Sequence, residues 1–189
     1  MRDSERFAFT ETPLRGAFEV HRRKLGDDRG FLERMYCGRE VARRVGFQNI
    51  AQINRTLTRA IGVVRGMHFQ MSPGAEAKLI SCISGEIVDV IVDIRKGSET
   101  FLQSFTTVLS ADRDVSLFVP RGFAHGFQTL KPETELIYMH DNYYDRDLER
   151  GLNALDPALK IHWPLQISQM SERDRAHPSV SDDFEGIEL

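Results

Sequence analysis

The chain has 189 residues, 41% of them hydrophobic and 28% charged, which is the balance of a globular domain and excludes a disordered or fibrous chain. A formal charge of −3 removes any whole-chain electrostatic case for nucleic acid as a partner. No run approaches the roughly 18 apolar residues of a membrane span. The length fits one domain over 1–189 with a core of its own.

Cys37 and Cys82 have no metal-type spacing, and the polar start of the chain has no apolar signal segment. Reduced thiols in a cytoplasmic protein are therefore expected. In chain order, 18–21 reads as a short extended segment and Gly26-Asp27-Asp28-Arg29-Gly30 as a turn, with a strand resuming over 31–37. The basic clusters Arg22-Arg23-Lys24 and Arg43-Arg44 are expected as solvated surface. Glu40–Val45 predicts one helical stretch closed by Gly46. A strand over 47–56 follows, with Gln52, Asn54 and Thr56 sharing one face and Ala51 and Ile53 the other.

The next stretch, Arg65-Gly66-Met67-His68-Phe69-Gln70, carries the most chemistry. A metal-binding barrel of the cupin type offers a second histidine two residues on, where both rings point inward. Here that place is Gln70. A lone histidine among polar groups points to proton transfer, and no bound metal is expected.

Lys78 to Ile83 runs into the turn Ser84-Gly85, and the return strand spans 86–94. On it Val88, Val90, Val92 and Ile94 fill one face. Ile87, Asp89, Ile91 and Asp93 fill the other, with the two aspartates expected as surface charges. Further strands are predicted over 102–109, 116–120, 126–130 and 135–141. Pro120-Arg121-Gly122-Phe123-Ala124-His125 forces a tight turn into a strand that presents His125. His125 would either line a cavity or tie the barrel together. With His68 and Glu76 it gives no secure three- or four-ligand metal set. So many short strands without long helical patterns predict an all-β jelly-roll barrel. At the C-terminal end, 145–151 reads as a charged loop and 155–164 as irregular. A short helix is expected over 171–176, with Ser171 as N-cap and Asp174 where a capping box would carry Glu or Gln.

Several of these motifs fall into one ordered set. It runs through Asp28-Arg29-Gly30, Gln52-Ile53-Asn54, Arg65 to Gln70, Ala77-Lys78-Leu79, Asp89 through Gly97-Ser98, and Pro120 to Phe127. It continues with Tyr138, Tyr143-Tyr144, Asp156-Pro157, Trp163-Pro164 and Ser171-Glu172-Arg173-Asp174. Over nearly the whole chain this set resembles the dTDP-4-dehydrorhamnose 3,5-epimerase family. The resemblance implies a cupin-type jelly roll with N-terminal strands and short C-terminal helices. It also implies a cofactor-independent homodimer acting on a nucleotide-linked 4-keto-6-deoxysugar, expected to be dTDP-linked.

A proton beside a ketone is acidic because its loss gives an enolate. Inverting that carbon needs a base on one face, an acid on the other, and positive charge at the enolate oxygen. Histidine titrates near neutrality, so His68 suits the base. By resemblance Asp174 orients its imidazole. Lys78 would hold the enolate oxygen, and Tyr138, a phenol protonated at neutral pH, would return the proton. Arg65 would meet the sugar or a phosphate with its planar fork. Arg29, Gln52, Asn54, His125 and Arg173 fall on substrate-contacting or pocket-lining positions, and Tyr144 would stack near the base or sugar.

Tyr143, His140 and His162 are expected to be structural, Trp163 to pack, and His177 to lie on the terminal surface. After Arg29-Gly30 the family often has phenylalanine two places on and glutamate four places on. Leu32 and Arg34 stand there instead, with Phe31 and Glu33 one place earlier, which would alter the pocket. If a dimer swaps an N-terminal strand, Arg29 would serve the neighbour's site. The alternatives are a 3,4-ketoisomerase on a similar substrate, a metal cupin such as a dioxygenase, and a non-catalytic sugar-binding cupin.

Overall fold

A computed structural model describes residues 6–189. The polar segment 1–5, part of the start that argued against a signal peptide, lies outside them. The first five strands are β1 (Phe7–Glu11), β2 (Phe18–Arg22), β3 (Leu25–Asp27), β4 (Gly30–Leu32) and β5 (Gln52–Thr58). β6 (Val64–Gln70), β7 (Lys78–Ser84), β8 (Glu86–Asp93) and β9 (Ser104–Ser110) follow. β10 (Val115–Val119), β11 (Phe123–Thr129), β12 (Thr134–His140) and β13 (Glu149–Gly151) complete the set. Two short helices, α1 (Glu40–Val45) and α2 (Glu172–Arg175), are added.

The strands form a six-stranded sheet in the order β1-β2-β10-β7-β12-β5 and a five-stranded sheet in the order β13-β6-β11-β8-β9. The small hairpin β3-β4 stands apart. Strands distant in sequence pair antiparallel across each sheet, the jelly-roll arrangement that the strand pattern predicts.

Between the sheets, Ile80, Ile87, Ile91, Leu117, Phe127 and Leu136 pack as one cluster. A second covers the outer face of the five-stranded sheet, where Val88, Val90 and Val92 meet Leu152, Leu159, Met170 and Ile187 of the C-terminal segment. The valine face is thus the outer one, and Asp89 and Asp93 turn inward with Ile87 and Ile91, which corrects one expectation. β8 is buried on both faces, so Asp89 and Asp93 are not surface charges; both are fully buried. A buried carboxylate needs partners. Asp89 accepts from His125 Nε2 at 2.6 Å, and Asp93 accepts from Arg95 Nη2 at 2.7 Å, Ser98 Oγ at 2.6 Å and Thr100 Oγ1 at 2.6 Å.

Arg22 is likewise buried and not solvated, because it bonds Glu33 (2.6 Å) and Ser116. Arg23, Arg43 and Arg44 are exposed as expected. Gly46 closes α1 in the left-handed region (φ 75°), where it donates back to the Ala42 carbonyl.

The strand predicted over 31–37 ends at Leu32, and the one predicted from 47 begins at Gln52. The intervening irregular chain is held by burial instead: Phe47 sits in the core edge-on to Tyr36 and Phe118. β13, in the stretch predicted as a charged loop, pairs along the edge of β6. Arg34 and Glu33 do not reach the barrel interior of their own chain; they pair with Glu40 and Arg22.

Candidate active site

The mouth of the barrel depends on one irregularity. β11 pairs with β6 through His125↔His68 and Phe127↔Arg65, so Gly126 alone faces Gly66 and Met67. Such a bulge shifts side-chain parity. Arg65 and His68, three residues apart, thereby share the cavity face, while Met67 is buried in the outer cluster. Gly66 sits at φ +134°, and a Cβ there would lie 2.5 Å from the Gly126 Cα. Gly66→Ala is therefore expected to cost about 1–3 kcal/mol of stability and to turn His68 away from the cavity. Thermal unfolding and activity, measured together, check this.

The cavity has a volume of about 200 Å³. The six-stranded sheet supplies Gln52, Asn54 and Thr56 from β5, Lys78 from β7, and Tyr138 and His140 from β12. The opposing sheet supplies Arg65, His68 and Gln70 from β6 and His125 and Phe127 from β11. Tyr144, Glu149 and Arg173 form part of the rim.

His68 Nε2 lies 2.9 Å from Asp174 Oδ1. Ser171 caps α2 by accepting from the Asp174 amide at 3.0 Å, which fixes that carboxylate in the first turn. Burial alone would raise the Asp174 pKa, but the hydrogen bond and charge of His68, with Ser171 and the Gly66 amide, hold it at about 2. Asp174 is thus ionised, and a neutral His68 donating to it from Nε2 keeps a lone pair on Nδ1.

Across the cavity, Tyr138 is half-buried against the inter-sheet cluster; desolvation first, then the charge of Asp89, push its pKa upward, so the phenol keeps its proton. His125 does both things the sequence leaves open: it lines the cavity and binds Asp89.

Lys78, which read alone would be a surface lysine, is buried with Nζ 3.2 Å from Glu76 Oε1. His140 Nδ1 donates to the other Glu76 oxygen at 2.8 Å. Burial would raise the Glu76 pKa, yet His140 and Lys78 together bring it below the ordinary value. His140 therefore lines the cavity while it holds Glu76 in place.

Gln70, standing where a second histidine would serve a metal, is fully used in packing. It donates to the Gly74 carbonyl (2.9 Å) and the Tyr143 carbonyl (3.1 Å) and accepts from the Asp145 amide (2.6 Å). Gln52 similarly accepts from the Tyr144 amide, and Tyr144 Oη and Arg173 both bond Glu149. Trp163 packs as expected, donating to the Ala154 carbonyl. The Tyr143 ring is exposed, and its backbone makes the structural contacts, the carbonyl accepting from Gln70 and the amide donating to Asn142 Oδ1.

Two expectations fail at this site. Arg29 is not brought to the cavity; it lies in the β3-β4 turn, paired with Asp27 and almost fully exposed. His177 is not terminal surface, for its ring stands edge-on to His68 with centroids 5.5 Å apart. The spacing Asp174-x-x-His177 is the signal that could have found it, since the turn that closes α2 folds His177 back onto Asp174, its amide 3.4 Å from the Asp174 carbonyl.

Fold and site together define a cupin-type jelly roll whose cavity sets a carboxylate-bound histidine opposite a tyrosine and a buried lysine. Residues 11–182 match the dTDP-4-dehydrorhamnose 3,5-epimerase family. A dTDP-4-dehydrorhamnose 3,5-epimerase of Sinorhizobium fredii is 39% identical over 162 residues, covering 85% of this chain and 83% of that one. The Bacillus anthracis enzyme of the same name, solved with TDP and PPi bound, superposes with a TM-score of 0.88 at 40% identity, covering 92% of this chain and 99% of that one. A Legionella pneumophila 3,5-epimerase in complex with dTDP-4-keto-L-rhamnose gives a TM-score of 0.89 at 31% identity, covering 97% of this chain and 99% of that one. The chain belongs to the dTDP-4-dehydrorhamnose 3,5-epimerase family, and it is an epimerase.

Proposed function

We propose that the protein inverts C3, C5 or both of a dTDP-linked 4-keto-6-deoxyhexose through an enolate, without a cofactor, in deoxysugar biosynthesis. The observation that carries this reading is the division of the cavity between the two sheets. His68 and its carboxylate stand on one wall, Tyr138 and Lys78 on the other, and inversion needs a base and an acid on opposite faces of one ring. His68 removes the proton, Asp174 stabilises the imidazolium, Lys78 attracts the developing enolate oxygen, and Tyr138 protonates the far face.

A cavity of about 200 Å³ is below the roughly 300–1,000 Å³ of drug-sized ligand pockets. The reacting sugar would sit inside and the nucleotide along the rim, beside Arg65, Arg173 and Tyr144, with Gln52, Asn54 and His125 lining the sugar site.

The edge strand β5 exposes Ile53 and Leu57, and the β3-β4 hairpin exposes Phe31 and Leu32. These faces support a homodimer in which the hairpin carries Arg29 toward the neighbour's cavity. No helix among the described residues is long and apolar enough to cross a membrane, and we place the enzyme in the cytoplasm.

Proton NMR of a dTDP-linked 4-keto-6-deoxyglucose incubated with the protein tests the reading. Epimerisation changes the couplings at C3 or C5; a 3,4-ketoisomerase would move the carbonyl instead, and an unchanged spectrum would favour a binding protein. For Tyr138→Phe, solvent exchange is expected to survive better than net inversion, because removal and return of a proton on one face need only the base. Equal loss of both would contradict this division of labour.

A further inference from the structure

The pair His68–Asp174 has a third neighbour that proton transfer does not use. His177 Nε2 lies 3.9 Å from Asp174 Oδ1. That nitrogen is shielded from solvent and has no hydrogen-bond partner among the described residues, an arrangement that folded proteins rarely leave unexplained. With its proton on Nδ1, the His177 ring turns an Nε2 lone pair toward Asp174 and His68. Gly151 makes room for it: a side chain there would collide with the imidazole.

We propose that His68, Asp174 and His177 form a Zn²⁺ site whose occupation switches the enzyme off. Two imidazole nitrogens and one carboxylate oxygen are a zinc donor set, and three protein ligands leave the fourth position open. The three ligand atoms lie within 4.8 Å of one another. Bonds of about 2.0–2.2 Å in a tetrahedron place ligand atoms roughly 3.4 Å apart, so side-chain adjustments of an ångström or so close the site.

Asp174 Oδ1 already accepts from His68 Nε2 at 2.9 Å, so the metal takes the place of that hydrogen bond. His68 would ligate through Nε2 by carrying its proton on Nδ1, so the neutral ring releases none. The Nδ1 lone pair needed for catalysis is then gone, and the metal holds the carboxylate that served the imidazolium. The groove lined by Arg65, His68, Arg173 and Asp174 gives access beside the sugar cavity. Arg173 opposes a cation here, with Nη2 3.5 Å from His68 Nε2 and Nε 3.8 Å from Asp174 Oδ1; its exposed side chain, held at the rim by Glu149 at 2.8 Å, must swing away from the pair as the metal enters. Binding follows from the three ligands alone; the inhibition rests on His68 being the base.

Equilibrium dialysis with Zn²⁺, read beside turnover, tests both halves. The expected result is one Zn²⁺ per chain, loss of epimerisation over the same concentration range, and recovery on adding EDTA. His177→Ala should keep its metal-free turnover and weaken Zn²⁺ binding and inhibition by about 10- to 100-fold or more. His177→Gln serves the same purpose if the alanine variant is unstable. Absence of stoichiometric binding, or equal binding by the His177 variants, would overturn the site. Stoichiometric binding that depends on His177 but leaves turnover intact would overturn the base role of His68 and with it the switch.

Discussion

His68→Ala is expected to lower kcat/KM for epimerisation by about 10²- to 10⁴-fold, the range that a positioned general base contributes. The fold should persist, because the His68 side chain is a quarter exposed and lies at the cavity face outside the core clusters. The change does leave Asp174 without its main partner, so some loss of stability accompanies it. His68→Asn separates the two effects, since its amide can still donate toward Asp174 but cannot take a proton. Both variants should lose activity alike while differing in unfolding midpoint. A His68→Ala protein that keeps more than about a tenth of wild-type kcat/KM, far above that range, would remove His68 from the base role.

Lys78→Met is expected to cost about 10²- to 10³-fold in kcat, the scale of removing one preorganised group at a developing oxyanion. Methionine keeps the apolar stem and deletes the charge. The neutral ketone gains little from that charge and the enolate gains much, so kcat should fall far more than KM rises. Glu76 remains bonded to His140 after the change, which limits collapse of the cavity wall. A raised KM with kcat unchanged would assign Lys78 to substrate binding alone.

Much of this site was legible in the sequence because its parts sit on regular strands. Gln52, Asn54 and Thr56 alternate on β5 and all face the cavity, as a period of two requires. Ser171 as helix cap and Gly46 as helix stop could be read for the same local reasons. Asp89 and Asp93 misled because alternation reports two faces but not which of them turns inward; they share the face of Ile87 and Ile91 in the inner cluster, while the C-terminal segment covers the valine face. Arg65 and His68 share a face only through the bulge opposite Gly126, and spacing alone sends them apart. The Glu76–His140 contact joins β12 to the loop before β7, a pairing no local pattern announces. Arg29 lies outside the cavity of its own chain, in an exposed turn that its sequence context alone does not place.

The most direct measurement is deuterium wash-in, followed by NMR, with a dTDP-linked 4-keto-6-deoxyglucose in deuterated water. The wild-type protein is predicted to place deuterium at C3, C5 or both, and the His68→Ala variant at neither. No incorporation with any nucleotide-linked 4-keto sugar would contradict the enolate chemistry assigned to this cavity.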